Sequence, residues 1–217
     1  MFRAKIQVLA RAANFPVNNY GQDHFVVTQA IVRELRELTY FDQWKTARKN
    51  SWYHLELEDH SLIMFGETTN SASFSYLQCP LAAPSFKEFL DGLEVPNTPR
   101  NRRELRDEYE MVLDTADLRS HITPVRFDYD ENGYLCGSHP VSHIHIGLDN
   151  NIRLGTNRKL TPISFLLFVM RQMYPDCWKR LLDHQESGRL PKAVRYDCSM
   201  VEGGYWKNED AIELHLN

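Results

Sequence analysis

The chain has 217 residues, 42% hydrophobic and 25% charged, with 25 basic against 29 acidic side chains for a net charge of −4. That length supports one domain with a sizeable core, and the composition is that of an ordinary globular protein. The acidic balance excludes a broad electrostatic attraction for nucleic acid, so any such contact has to be local or supplied by a partner.

The first fifty residues read as a helical segment. In HFVVTQAIVRELREL, Val27, Ile31, Leu35 and Leu38 recur three or four apart and form a one-sided apolar stripe. A shorter helix follows from about Phe41 to Lys49. The period then changes to two: in WYHLELE, Tyr53, Leu55 and Leu57 alternate with His54, Glu56 and Glu58. EDHS is a turn, and SLIMFGE and ASFSYLQ continue as strands, so this region reads as a three-stranded antiparallel meander. A short helix spans about Ser85 to Leu90, EVPNTPRN is a loop, and a charged helix runs from about Arg102 to Asp117. TPVRFDYD is a strand with Val125, Phe127 and Tyr129 on one face and Arg126, Asp128 and Asp130 on the other.

ENGYLCGSHP turns the chain before VSHIHIGL forms the next strand. TPISFLLFVMRQMYP is a helix with Thr161 as N-cap, Pro162 in its first turn and Pro175 beyond its end. Its nearly all-round apolar surface makes it the central core helix. AVRYD and AIELHL in the tail read as further strands. The class is α+β: an antiparallel sheet covered by helices, in a single domain over residues 1–217, with a helical segment over 1–50 and an α+β core over 51–217.

Membrane and export signals are not apparent. The longest apolar run, Ile163 to Met170, has eight residues, against the ~20 a membrane span needs. MFRAKIQVLARAANF lacks the apolar segment and cleavage site of a secretory signal. Cys79, Cys136, Cys177 and Cys198 are scattered without a C-x-x-C pair, which indicates neither a disulfide framework nor a zinc ribbon. A cytoplasmic protein with reduced thiols is expected.

Chemistry concentrates in SHPVSHIHIG, Ser138 to Gly147, where His139, His143 and His145 fall within seven positions. Residues two apart on a strand share a face, ~6.6–7 Å apart, so His143 and His145 project together. Antiparallel pairing with VRFDYD brings Arg126, Asp128 and Asp130 to the same surface. The basic loop RLGTNRK, with Arg153, Arg158 and Lys159, follows closely. Three readings compete. His143, His145 and Asp128 form a two-histidine, one-carboxylate set for a divalent metal ion with open positions for substrate. Alternatively, one imidazole takes a proton while the other donates one, and an arginine stabilises phosphate charge. Thirdly, both rings lie on a half-exposed sheet, hydrogen-bonded to Asp128 or Asp130. The residues assigned to catalysis are His143, His145, Arg126, Asp128 and Arg153; His139, Arg158 and Lys159 are assigned to substrate binding.

Other features read as structure. Glu56, Glu58, Asp59 and His60 form the outer face and turn of the meander. Trp44, Trp52, Tyr53, Phe74 and Tyr76 read as core packing, and the basic stretch Arg100 to Arg106 as solvated surface. Nothing marks Cys136 as an activated nucleophile, and there is no phosphate-binding loop, dinucleotide fingerprint or G-x-S-x-G elbow.

The succession WYHLELEDHSLIMF, SYLQCPLAAPS, VRFDYD, SHPVSHIHIG and NIRLGTNRKLTPISFLLFVMRQMYP, over about residues 50 to 175, resembles an uncharacterised bacterial domain-of-unknown-function family. Its most specific part is the tyrosine-aspartate strand followed by the H-P-x-S-H-x-H-x-G strand. That family's first hairpin turns on Asp-Gly-Ser, where this chain has Asp59-His60-Ser61. The resemblance implies occurrence beside helicase genes in phage-defence loci, and hence a helicase partner, with nucleic acid reached through the complex. The expected function is a nuclease or other phosphodiesterase using the histidine pair; the alternative is a non-catalytic adaptor that binds and regulates a helicase.

Overall fold

A computed structural model describes residues 15–21, 25–148, 152–183, 196–212 and 215–216. One sheet organises the chain, with strands in the order β1 (Val17–Tyr20), β2 (Leu55–Leu57), β3 (Leu62–Glu67), β4 (Ser71–Leu77), β5 (Val125–Asp130), β6 (Ser142–Ile146), β7 (Ile152–Thr156) and β8 (His215–Leu216). Neighbours pair antiparallel from β1 through β7, and β8 joins β7 in parallel. The expected α+β class is therefore the observed one.

The alternation of side chains sorts the sheet into two covered faces. On the first, Ile63, Phe65, Phe74, Phe127 and Ile144 pack beneath α6 (Pro162–Met173) and α7 (Pro175–Asp183) through Phe165, Leu166, Val169, Met170 and Leu181. Thr161 caps α6 with a reciprocal capping box to Ser164, and Pro162 occupies its first turn. The rings of Phe65, Phe74 and Phe165 meet at centroid separations of 5.6 to 6.4 Å. On the second face, Leu62, Met64 and Leu77 pack against Trp44 and Ala47 of α2 (Tyr40–Lys49), Leu90 of α3 (Phe86–Gly92), and Tyr109 and Leu113 of α5 (Arg106–Asp114).

Several sequence expectations are corrected. The N-terminal fifty residues hold α1 (Gln29–Arg36) and α2, but Val17–Tyr20 is a strand that pairs with β2. The charged helix expected over 102–117 begins earlier, at α4 (Pro99–Glu104), because Thr98 caps it and Pro99 supplies its first residue; Leu105, at φ −100° and ψ 11°, then divides it from α5. The stretch expected as a basic loop contains β7, whose hydrogen bonds complete the edge of β6. In the tail, Tyr196 and Asp197 are helical and the rest of AVRYD lies outside the described residues. Of AIELHL, Ala211 and Ile212 end α8 (Asn208–Ile212), His215 and Leu216 form β8, and the two residues between lie outside the described residues.

The meander turn carries another correction. Glu56 and His60 do not lie on a wet face: they are 5% and 2% exposed. His60 takes φ +63°, the left-handed conformation for which glycine is the usual residue. Its ring bonds to Glu56 and Tyr109, and its carbonyl accepts from Trp44 Nε1 at 2.8 Å.

Candidate metal centre on the histidine strand

Register brings the histidines to their partners. Two rows cross the second face of the sheet: Ser73, Asp128, His143 and Gly155 in one, Ser75, Arg126, His145 and Arg153 in the next. The alternation that sends Phe127 and Ile144 into the first core sends these polar residues to the opposite side.

Within the rows, the three donor atoms nearly touch. His143 Nε2 lies 3.0 Å from His145 Nε2, and Asp128 Oδ2 lies 3.5 Å from His145 Nε2 and 4.0 Å from His143 Nε2. His143 Nδ1 is 2.7 Å from the Pro140 carbonyl oxygen, which can only accept. The Nδ1 proton of a neutral His143 is thereby placed, and its Nε2 lone pair points at His145. Hydrogen bonding of the remote nitrogen to a carbonyl is the arrangement that orients metal-binding imidazoles. Gly155 makes room for this loop, since a Cβ there would stand 3.3 Å from Pro140 Cγ and 3.7 Å from Trp206 Cη2.

The electrostatics suit a cation. Burial pushes the His143 imidazole down to about 4, and neighbouring His145 adds to the effect, so the ring is neutral at physiological pH. Burial opposes ionisation of Asp128, but bonds from His145, Ser73 and Arg126 outweigh it and hold the carboxyl far below its ordinary range. Ser73 Oγ donates to Oδ1 at 2.8 Å and Arg126 Nε to Oδ2 at 2.7 Å.

The donor triangle fits a metal ion. Bonds of ~2.0–2.1 Å give ligand–ligand separations of about 3.0 Å at octahedral right angles and about 3.4 Å at tetrahedral ones. Of the observed edges, 3.0 and 3.5 Å lie close to those values, and the 4.0 Å edge between Asp128 and His143 must close by about 0.6 Å to reach the tetrahedral one. Among the described residues, Asp128, His143 and His145 are the group whose ligand atoms all lie within 4.8 Å of one another. A divalent ion there would have three protein ligands and open positions. The imidazoles are 2% and 3% exposed, whereas the Asp128 and Arg126 side chains are 20% and 31% exposed, so the Asp128–Arg126 side of the set lies nearer to solvent.

The remaining site assignments divide. Arg153 is exposed beside His145 on β7. His139 stacks its ring edge-to-face on His143 at 4.9 Å, and its buried Nδ1 has no hydrogen-bond partner among the described residues. Arg158 and Lys159 are not brought to the donor set. Arg158 Nη1 clamps the Cys198 carbonyl at 3.1 Å, and Lys159 Nζ lies 4.1 Å above the ring of Tyr129, a first-face core residue. Asp130 shares the face of Asp128 but caps its own turn by accepting from the Asn132 amide. Sequence reasoning missed Ser73; the alternation of serines in SASFSY is the signal that puts it on the polar face.

Fold and site together define an α+β protein with a sheet-borne two-histidine, one-aspartate centre. Residues 9–202 match the model of DUF2290, a family of uncharacterized conserved proteins, and the chain belongs to that family. The match is wider than the stretch over 50–175 that carried the resemblance. No curated protein and no solved structure matches the chain. No helix among the described residues is long and apolar enough to cross a membrane.

Proposed function

We propose that this protein is a metal-dependent phosphodiesterase, a nuclease that works with a helicase partner in antiviral defence in the cytoplasm. The observation that carries the reading is the meeting of Asp128 Oδ2, His143 Nε2 and His145 Nε2 beside the Arg126 guanidinium. An ion held by those atoms supplies an acidified water and charge stabilisation for a phosphoryl oxygen. Pro140 and Ser73 orient the ligands. Arg126 and Arg153 flank the solvent side, where a phosphate would enter, and spare cationic valences there stabilise its developing charge. The helicase association rests on the family resemblance, and it accords with the net charge of −4, because a partner then provides the grip on nucleic acid.

The test is cleavage of labelled single-stranded DNA, duplex DNA and RNA by purified protein with manganese, zinc or chelator, alongside metal analysis. Cleavage that needs metal and disappears in a folded His143→Ala/His145→Ala variant is expected. Undiminished cleavage by that variant, or no bound metal at any concentration, refutes the reading.

Near-complete burial of both imidazoles favours a second reading, in which the triad stabilises a non-catalytic subunit that binds and regulates the helicase. Under it, the purified protein turns over no nucleic acid, and the same double variant loses the complex.

A further inference from the structure

About four strand spacings from the histidines, or about 19 Å, the second face holds another cluster of charged groups around Glu56 on β2. Glu56 Oε1 accepts from Arg48 Nε at 3.0 Å and bonds His60 Nδ1 at 2.8 Å. Among the described residues, Glu56 Oε2 accepts only from the Tyr53 hydroxyl, at 3.3 Å. Arg48 also grips Glu110 with both terminal nitrogens, at 2.8 and 2.7 Å. A carboxylate offers about four acceptor sites and a guanidinium five donors. The cluster therefore keeps an unused acceptor on Glu56 Oε2 and unused donors on Arg48.

Arg48 and Glu56 both line a cavity of about 570 Å³, within the range of small-molecule sites. Phe41, Leu113 and Leu118 add apolar surface to its lining, and Lys49 and Arg106 are exposed lining residues. Lys45 is already paired with Asp114 at 3.7 Å. Behind Glu56, His60 is held in the left-handed region, unfavourable for a non-glycine residue, at φ +63° with its ring on Glu56 and Tyr109. Strain of this kind persists where surrounding structure over-determines a functional geometry.

We propose that this cavity binds a ligand of the mononucleotide class, with Arg48 and Glu56 reading the polar edge of its base or sugar and Lys49 and Arg106 meeting its phosphate. A body with apolar faces and one hydrogen-bonding edge matches a lining that mixes Arg48 and Glu56 with Phe41, Leu113 and Leu118, and the exposed Lys49 and Arg106 account for an anionic tail. The site is independent of the metal centre, and its ligand is held, not cleaved.

The test is calorimetric titration of the full chain, in chelator, with AMP, adenosine and inorganic phosphate. AMP is expected to bind, with adenosine and phosphate each at least about tenfold weaker, or ~1.4 kcal/mol. A Lys49→Ala/Arg106→Ala variant, altered only at exposed positions, should lose at least about tenfold in AMP affinity while keeping its melting temperature and its adenosine affinity. The His143→Ala/His145→Ala variant should bind AMP like the parent, which separates failure here from failure of the phosphodiesterase reading. Absence of AMP binding, phosphate binding as tight as AMP, or equal AMP affinity in the lysine–arginine variant each overturns the proposal.

Discussion

Replacing Arg48 by alanine isolates the energetics of the buried charge cluster. Burial alone would raise the Glu56 carboxyl, but bonds from His60 and Arg48 pull it below its ordinary range, so it stays ionised at 5% exposure. Breaking a buried pair by deleting one partner costs about 3–5 kcal/mol, because the other charge is left without compensation. The lower end applies here, since His60 remains on Glu56 and the Glu110 side chain, 38% exposed, can return to water. A loss of about 3 kcal/mol corresponds to a fall of about 6–12 °C in Tm for a domain of this size. Urea denaturation at pH 7, followed by circular dichroism, measures it. Lys87→Ala serves as the internal control: Lys87 and Asp91 also form an ion pair, but both side chains are 54% exposed, so solvent screening should leave the loss far smaller. Adding Glu56→Gln to Arg48→Ala should restore part of the stability by removing the stranded anion. If Arg48→Ala costs no more than the Lys87 control, Glu56 is not held as a buried charge and the reasoning fails.

Two further outcomes follow from local geometry. Because the folded protein keeps His143 neutral down to about pH 4 while the unfolded chain protonates at ~6.5, the unfolded state binds the extra proton between those values. Stability from this group is complete above about pH 6.5 and is lost as pH falls toward 4. In chelator, that amounts to about 2–3 kcal/mol by pH 4.5, and a folded His143→Gln variant should show a correspondingly flatter acid limb in denaturation series; identical limbs would rule the account out. At the end of α3, Val95 N donates to Leu90 O and Glu94 N to Asp91 O, a Schellman closure with Glu94 at φ +57° where glycine is favoured. Glu94→Gly should therefore stabilise the protein by about 1 kcal/mol, and a lower urea midpoint would contradict the motif.

Much of the architecture was legible because local rules sufficed. The two-residue alternation in VRFDYD and SHIHI assigned strands, faces and antiparallel pairing, and so placed Asp128, Arg126, His143 and His145 together before any coordinates. The apolar surface and cap of Pro162–Met173 likewise marked the central helix. Where tertiary context competed with local pattern, the sequence was mute. Glu56 and His60 read as the wet face of a hairpin, yet α2 and α5 close over them and supply Arg48, Glu110 and Tyr109 from distant segments. RLGTNRK, Arg153 to Lys159, reads as a basic loop, yet its first half lies in β7, because the pairing of such a short strand is decided by its neighbours, not by its own residues.

Composition and alternation, then, determined that this protein is an α+β sheet structure bearing imidazoles and carboxylates on one face, since the direction of a strand side chain depends only on its parity. Only the tertiary structure decided which atoms come within bonding reach of one another, because register, loop closure at Pro140 and the covering helices are properties of the whole packed chain.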